Sequence, residues 1–257
     1  MKRSVWKAPL AYQFRNLLFS GLVVWGILIL LPVLFYLGLS LFEPGEEVSY
    51  NGTAEAASAI FCFVWGCTSW RDAFHLGLAG GVPRRVLYGS ALACVAAMSV
   101  LFAPVSLLVT FLTGQLPTSN IAPMFVYIYG GEAQIAAPYA DINFLFQGMV
   151  WQAGISLFLG CTGLFLGCLY YRISRWLRIL LTIAIPVMLF VGVPTLLSFL
   201  PQDGVQELIR AALSMLENSW LTAGLCAVLG ALFAVFGWIS TRNAALMRNP
   251  QPSASAG

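Results

Sequence analysis

The sequence predicts an all-α membrane protein with six transmembrane helices, and three observations predict it. Of 257 residues, 60% are hydrophobic and only 9% charged, with a mean hydropathy of +0.84, where an ordinary globular domain carries about 25% charged residues. A folded chain of this size still exposes roughly a quarter to a third of its unfolded surface, so lipid must replace water around it. Second, charge-poor runs near the ~20 residues that a helix needs to cross hydrocarbon recur six times. Third, the charges between the runs sort by sign. A closed β-barrel also satisfies its backbone in lipid, but the runs show no apolar-polar alternation.

Residues 1–248 read as one six-helix transmembrane domain and 249–257, NPQPSASAG, as a disordered tail. Over about 5–16, Trp6, Leu10 and Phe14 mix with Lys7 and Arg15. That pattern fits an interfacial helix on the inner surface and equally a basic flank that only fixes orientation. The spans are expected at about 17–41, 56–78, 86–113, 144–171, 177–199 and 219–241. The first is too long for a signal-peptide core and no small-residue cleavage site follows, so it reads as a retained helix. In the second, only Ala56–Trp70 is charge-free, which puts Arg71 and Asp72 near the inner headgroups with their side chains snorkelling. The loop 115–143 is aromatic enough, in MFVYIYGG and Pro138-Tyr139, to rest in the outer headgroups. Between the last two spans, Val205, Leu208, Ile209, Ala212, Leu213 and Leu216 recur at helical spacing, which predicts an amphipathic helix on the outer surface.

With that arrangement, 12 of the 13 basic residues fall on one side, Arg210 being the exception. Nine of the 10 acidic residues fall on the other, Asp72 being the exception. The positive-inside rule then places both termini in the cytoplasm. The net charge of +3 reflects orientation and gives no reason to invoke nucleic acid.

No expected span carries an Asp, Glu, Lys, Arg or His in its middle third, which disfavours proton- or sodium-coupled carriers. His75 is the only histidine, so a HExxH protease or any multi-histidine metal site is excluded. The six cysteines lie inside spans without a CxxC pair and read as small packing residues. Gly160, Gly163 and Gly167 give the fourth span a smooth face that suits helix packing, against a partner helix the sequence leaves open. No catalytic or metal-ligating set is expected, no substrate-binding residue can be named, and no phosphate-binding GxxxxGK[ST] is present. Energy for any work must arrive through another subunit.

The inner connection WRDAFHLGLAGGVPRR is the one inner loop with helical pattern of its own. Phe74, Leu76 and Leu78 are apolar among polar neighbours, Gly80 and Gly81 can end a short helix, and Pro83 can open the next at its first turn. Such a loop can form a short transverse helix. Here the sequence resembles the permease subunits of type-2 ABC transporters. Those have six spans, both termini inside, and a coupling helix between helices two and three that ends in a Gly-Val-Ser-Arg-Arg-like turn. The turn here is Gly81-Val82-Pro83-Arg84-Arg85, with proline in place of the usual hydroxyl residue, and FLGCLYYRISRWLRIL is similar to the family's exit from helix four.

The resemblance implies a multi-pass protein of the bacterial inner membrane, paired with a second permease copy or a related permease. It implies two cytoplasmic ATPase subunits that bind ATP and magnesium, with no cofactor bound by this chain. Arg71, Asp72, Phe74, His75, Leu78, Gly81, Arg84 and Arg85 would then meet the ATPase. As simple anchors, Arg84 and Arg85 would leave the glycine pair unexplained. The leading expectation is an exporter of an apolar or amphipathic cargo such as a lipid, drug or peptide. The alternatives are a scaffold or sensor that moves nothing and, disfavoured by missing acid-base groups, an intramembrane enzyme.

Overall fold

The computed structural model describes residues 6–42, 53–114, 122–131, 134, 139–173, 176–177, 180 and 217–242. Those residues build six helices and no strand: α1 Lys7–Phe42, α2 Thr53–Ala79, α3 Arg84–Gly114, α4 Met124–Tyr129, α5 Ile142–Arg172 and α6 Ser219–Arg242. Four of them contain apolar stretches long enough to cross a membrane: Lys7–Leu30, Arg84–Leu112, Ile142–Tyr171 and Ser219–Thr241. In α2 the apolar part, Ala54–Ser69, is shorter than a span. The span expected at 177–199, apart from Leu177 and Leu180, the outer helix around 205–216 and the tail at 249–257 lie outside the described residues.

Three expectations change. The segment 5–16 is no separate interfacial helix: from Lys7 it runs without a break into α1, because Pro9 sits in the first turn, where a missing N–H costs nothing. Nor is there a separate transverse helix after the second span. Residues 71–79 continue α2 in one 27-residue helix, since nothing between Thr53 and Ala79 breaks helical backbone until the glycine pair at 80–81. The aromatic stretch MFVYIY is not a loop but the helix α4, with Phe125 and Val126 buried in the bundle and Met124, Tyr127 and Ile128 exposed.

Helix α5 is the axis of the packing. Helices α2 and α6 lie along it, α3 touches both α2 and α5, and α1 leans on α3. The α2–α5 seam is built from glycine. A Cβ on Gly66 would stand 2.5 Å from the Gly160 carbonyl oxygen, one on Gly167 2.7 Å from that of Cys67, and one on Gly163 would meet the Phe63 carbonyl. Small residues let two backbones approach where lipid provides no hydrophobic push between helices. Beside the seam, Cys62, Trp65, Cys94, Val95, Met98 and Cys161 form the buried core, and Trp25 of α1 sets its ring edge-on to Phe102 at 5.3 Å. All six cysteines are free thiols. The outward faces are apolar as well: Phe19 and Leu22 are 70% and 71% exposed, and Val100, Val228 and Ile239 are exposed on α3 and α6. A molecule apolar on both its inner and outer faces suits lipid as solvent.

Candidate functional site

Two places in the bundle concentrate polar chemistry, one at each end. At the end that carries the basic pair, α2 stops in a Schellman turn. The Val82 N–H donates to the Gly77 carbonyl over 2.9 Å, and Gly81 takes φ 71°, a left-handed conformation that favours glycine. Pro83 precedes helical position one: its carbonyl accepts the N–H groups of Val86 and Leu87, so it caps α3 from outside and Arg84 is the first helical residue. Arg84 is half-buried and Arg85 exposed.

The first turns of α3 are fastened to the rest of the bundle. Leu87, Tyr88 and Ala91 are buried against Leu164 and Cys168 of α5, with Tyr171, Val82 and Trp238 packed around them. The Tyr88 hydroxyl crosses to α6 and donates to the Ala234 carbonyl over 2.6 Å. Gly77 on α2 lies so close to Leu87 that a Cβ there would stand 2.6 Å from one of its methyls. The turn is therefore rigidly tied to α2, α3, α5 and α6 together.

Of the residues expected at this site, Gly81, Arg84 and Arg85 are brought together at the turn. Arg71, Asp72, Phe74, His75 and Leu78 occupy the last turns of α2, and their side chains lie outside the described residues. Gly160, Gly163 and Gly167 sit away from the turn, on the α2–α5 seam.

The opposite end holds a polar network that the sequence reading did not single out. Glu55, in the first turn of α2, is 4% exposed. Its carboxylate accepts the Met124 N–H at the start of α4. Its carbonyl accepts from the Ser58 hydroxyl at 2.8 Å and from the Gln152 amide of α5 at 2.9 Å. The same amide donates to Ser58 Oγ at 2.7 Å. Glu55, Ser106 of α3 and Gln152 border a cavity of about 10 Å³, the space of a single water. Ahead of the expected span, burial pushes the Glu55 carboxyl up to about 7, against the opposing effect of the Met124 N–H.

Helix α4 covers this network as a plug. Phe125 packs within 4.8–5.7 Å of the rings of Phe144, Tyr129 and Trp151. Trp151 Nε1 donates to the Tyr129 hydroxyl, which in turn donates to Thr222 Oγ1 of α6, each over 3.2 Å. Gln147 donates to Ser219, the first residue of α6. The local reasons are readable: Asp141 caps α5 by accepting the Asn143 N–H, and Asn218 caps α6 by accepting the Trp220 N–H. Among the described residues, no three His, Cys, Asp or Glu side chains gather as a metal site.

Neither end has the nucleophile, base and oxyanion donors of a hydrolytic site in its described residues. What the arrangement offers is mechanical: a stiff turn at one end and a titratable, plugged polar cluster at the other. Compared with known proteins, the chain matches no family model, no curated protein and no solved structure.

Proposed function

We propose that this chain is the membrane permease subunit of an ATP-driven transporter, exporting an apolar or amphipathic cargo with a separate cytoplasmic ATPase. In this reading it spans the membrane six times with both termini in the cytoplasm, sits in a bacterial inner membrane, and pairs with a second permease. ATP and magnesium bind to the partner. The observation that carries the reading is the Gly81 turn, tied at once to the end of α2 and, through Leu87 and Tyr88, to α5 and α6. A push on that turn from the inner side moves packed helices as a body, which is how rigid elements convert a local contact into a switch. The charge sorting, 12 of 13 basic residues on the turn's side, supports the orientation.

Because α2 continues to Ala79, the ATPase would meet a helix end and its glycine turn rather than a helix lying across the membrane surface. The test is the double variant Arg84→Ala with Arg85→Ala in the full complex. Membrane insertion should be unchanged, since 10 basic residues remain on the same side. Co-purification of the ATPase and transport into vesicles should fall together. Wild-type levels of both would leave the arginines as anchors and remove the coupling role. Failure of any P-loop ATPase to co-purify with the wild-type chain would favour the scaffold reading instead.

A further inference from the structure

The cavity beside Glu55 is small, about 10 Å³, and its polar wall is one-sided. Glu55 Oε2 accepts the Met124 N–H, whereas Oε1 has no hydrogen-bond partner among the described residues and keeps open surface. Ser106 Oγ spends its hydrogen on the Ala103 carbonyl at 2.9 Å. Gln152 spends its amide hydrogens on the Glu55 carbonyl and on Ser58 Oγ. What these three bordering side chains leave over is acceptor capacity: a carboxylate oxygen, a hydroxyl oxygen and an amide oxygen, with no donor among them. The remaining wall, Phe125 and Leu145 included, is apolar.

An occupant of that space has to donate. There is room for one water, which brings two hydrogens to three acceptors. The third hydrogen is a proton on Glu55, which turns its free oxygen into a donor toward the water. Charge leads to the same count: no basic side chain acts on Glu55 among the described residues, and a carboxylate buried without a counter-charge is costly. A metal cation fits poorly, because hard cations gather about six oxygen ligands or more and the wall supplies half of that. The titratable groups on the surrounding elements leave the balance to Glu55. Tyr139 feels its charge, and Tyr127 and Tyr129 lie on α4. Helices α3 and α5 bring the neutral Ser106 and Gln152, while Asp141 at the start of α5 and Glu217 ahead of α6 are exposed. Along α2 the next is Cys62, two turns on.

We propose that Glu55, Ser106 and Gln152 form a proton-binding site of one carboxyl and one enclosed water, loaded while α4 covers it and discharged when α4 lifts. Lifting α4 breaks the bond from the Met124 N–H and lets solvent reach both carboxyl oxygens, so the carboxyl gives its proton to that solvent; closing reverses the step. With the basic turn inward this end faces outward, so the proton is exchanged with the outer compartment. That direction alone rests on the orientation proposed above, and no part of the site needs a partner subunit.

The test follows the C=O stretch of a protonated carboxyl by infrared difference spectroscopy, on the full chain in nanodiscs, as pH is titrated. The wild type should show such a band at pH 5 and lose it through about pH 7, well above the ~4.3 of an exposed glutamate. Glu55→Gln keeps the shape, an acceptor for Met124 and a donor toward the water, so it should fold at both ends of the titration and lack the band. Phe125→Ala opens the cover and should lower the midpoint by about one pH unit or more, and speed the shift of the band in D2O about tenfold. Ser106→Val fills the space of the water and should raise the midpoint, because the charged form loses its solvent. A midpoint that falls as sodium or ammonium is raised at constant ionic strength identifies a cation in the cavity and overturns the proposal. So does the absence of a Glu55-dependent band between pH 5 and pH 8, or titration of folded Phe125→Ala and Ser106→Val like the wild type.

Discussion

The two ends of the bundle solve the same problem, ending helices at a lipid boundary, by opposite means. At the Gly81 end the chain stays exposed: Gly80, Gly81, Pro83 and Arg85 face outward, Val82 and Arg84 are half-buried, and only from Val86 on does the chain turn in. At the Glu55 end the chain folds back over itself, so that α4 buries a carboxyl, two serines and a glutamine under an aromatic plug. The difference is one of access. A partner can reach the first end without unfolding anything, whereas the second admits a proton or a water only after α4 yields. Function that needs a partner belongs at the open end, and function that needs a gate belongs at the closed one.

Both ends hang on the same glycine seam, and the sharpest way to break the comparison is to spoil it. Gly163→Leu would drive a branched side chain into the Phe63 backbone, where neither helix can give without moving the other. The expected result is loss of a folded, monodisperse protein in size exclusion, with both ends failing together. A folded variant in which only one end is perturbed would show that the two ends do not share α2–α5 packing.

The closed end should depend on pH. A carboxyl raised from 4.5 to about 7 on folding binds its proton more tightly in the folded state. Its contribution is therefore fully present below about pH 4.5 and is lost as pH rises through about 7, on the order of 3 kcal/mol across that window. Hydrogen exchange of the α4 amides, corrected for intrinsic rate, should be slower at pH 5 than at pH 8. Glu55→Gln should flatten the profile, while exchange at Val82–Leu87 stays level. Nearby, burial first and the Glu55 charge second push the Tyr139 hydroxyl up to about 12, so it stays protonated throughout. A smaller loss is expected from Gln152→Leu, which strips the Glu55 carbonyl and Ser58 of a donor. An unmade buried bond costs about 1–3 kcal/mol, read as a lower thermal midpoint and faster α4 exchange.

The open end was legible in the sequence because its causes are local. A glycine pair, a proline and two arginines within six positions announce a helix stop, a turn and a restart, and charge-poor runs of 20 or more residues announced α1, α3, α5 and α6. What misled was also local: the change from apolar to mixed residues after Trp70 read as a new element, although helical backbone continues through it to Ala79. The closed end was not legible. Glu55 stands one residue ahead of an apolar run and looks like any acidic loop residue. Its burial is made by Met124, 69 positions away, and by Gln152, 97 positions away. No pattern within a window of helical length carries that information. The glycines of the fourth span showed a packing face, but only three-dimensional placement could say that Gly66 of α2 lies against it.

The smallest effect is the one that separates the ends most cleanly. Gly81 holds φ 71° with nothing within 4 Å of where a Cβ would stand, so a substitution there meets backbone strain and no clash. Gly81→Ala should cost about 1 kcal/mol, the ordinary penalty of a left-handed alanine. Gly81→Asn should cost less, because asparagine tolerates that conformation. The strain falls on the Schellman bond from Val82 to Gly77 and on the start of α3. Exchange at Val82, Val86 and Leu87 should therefore rise several-fold in the alanine variant and by less in the asparagine one, and α4 should be silent in both. If the α4 amides respond in step with the turn, the ends are coupled along α2 and α5, and the plug over Glu55 becomes part of the same switch. If they stay silent while ATPase capture falls, the open end acts alone, and the graded response from glycine to asparagine to alanine ties that capture to the shape of the turn rather than to the charge of Arg84 and Arg85.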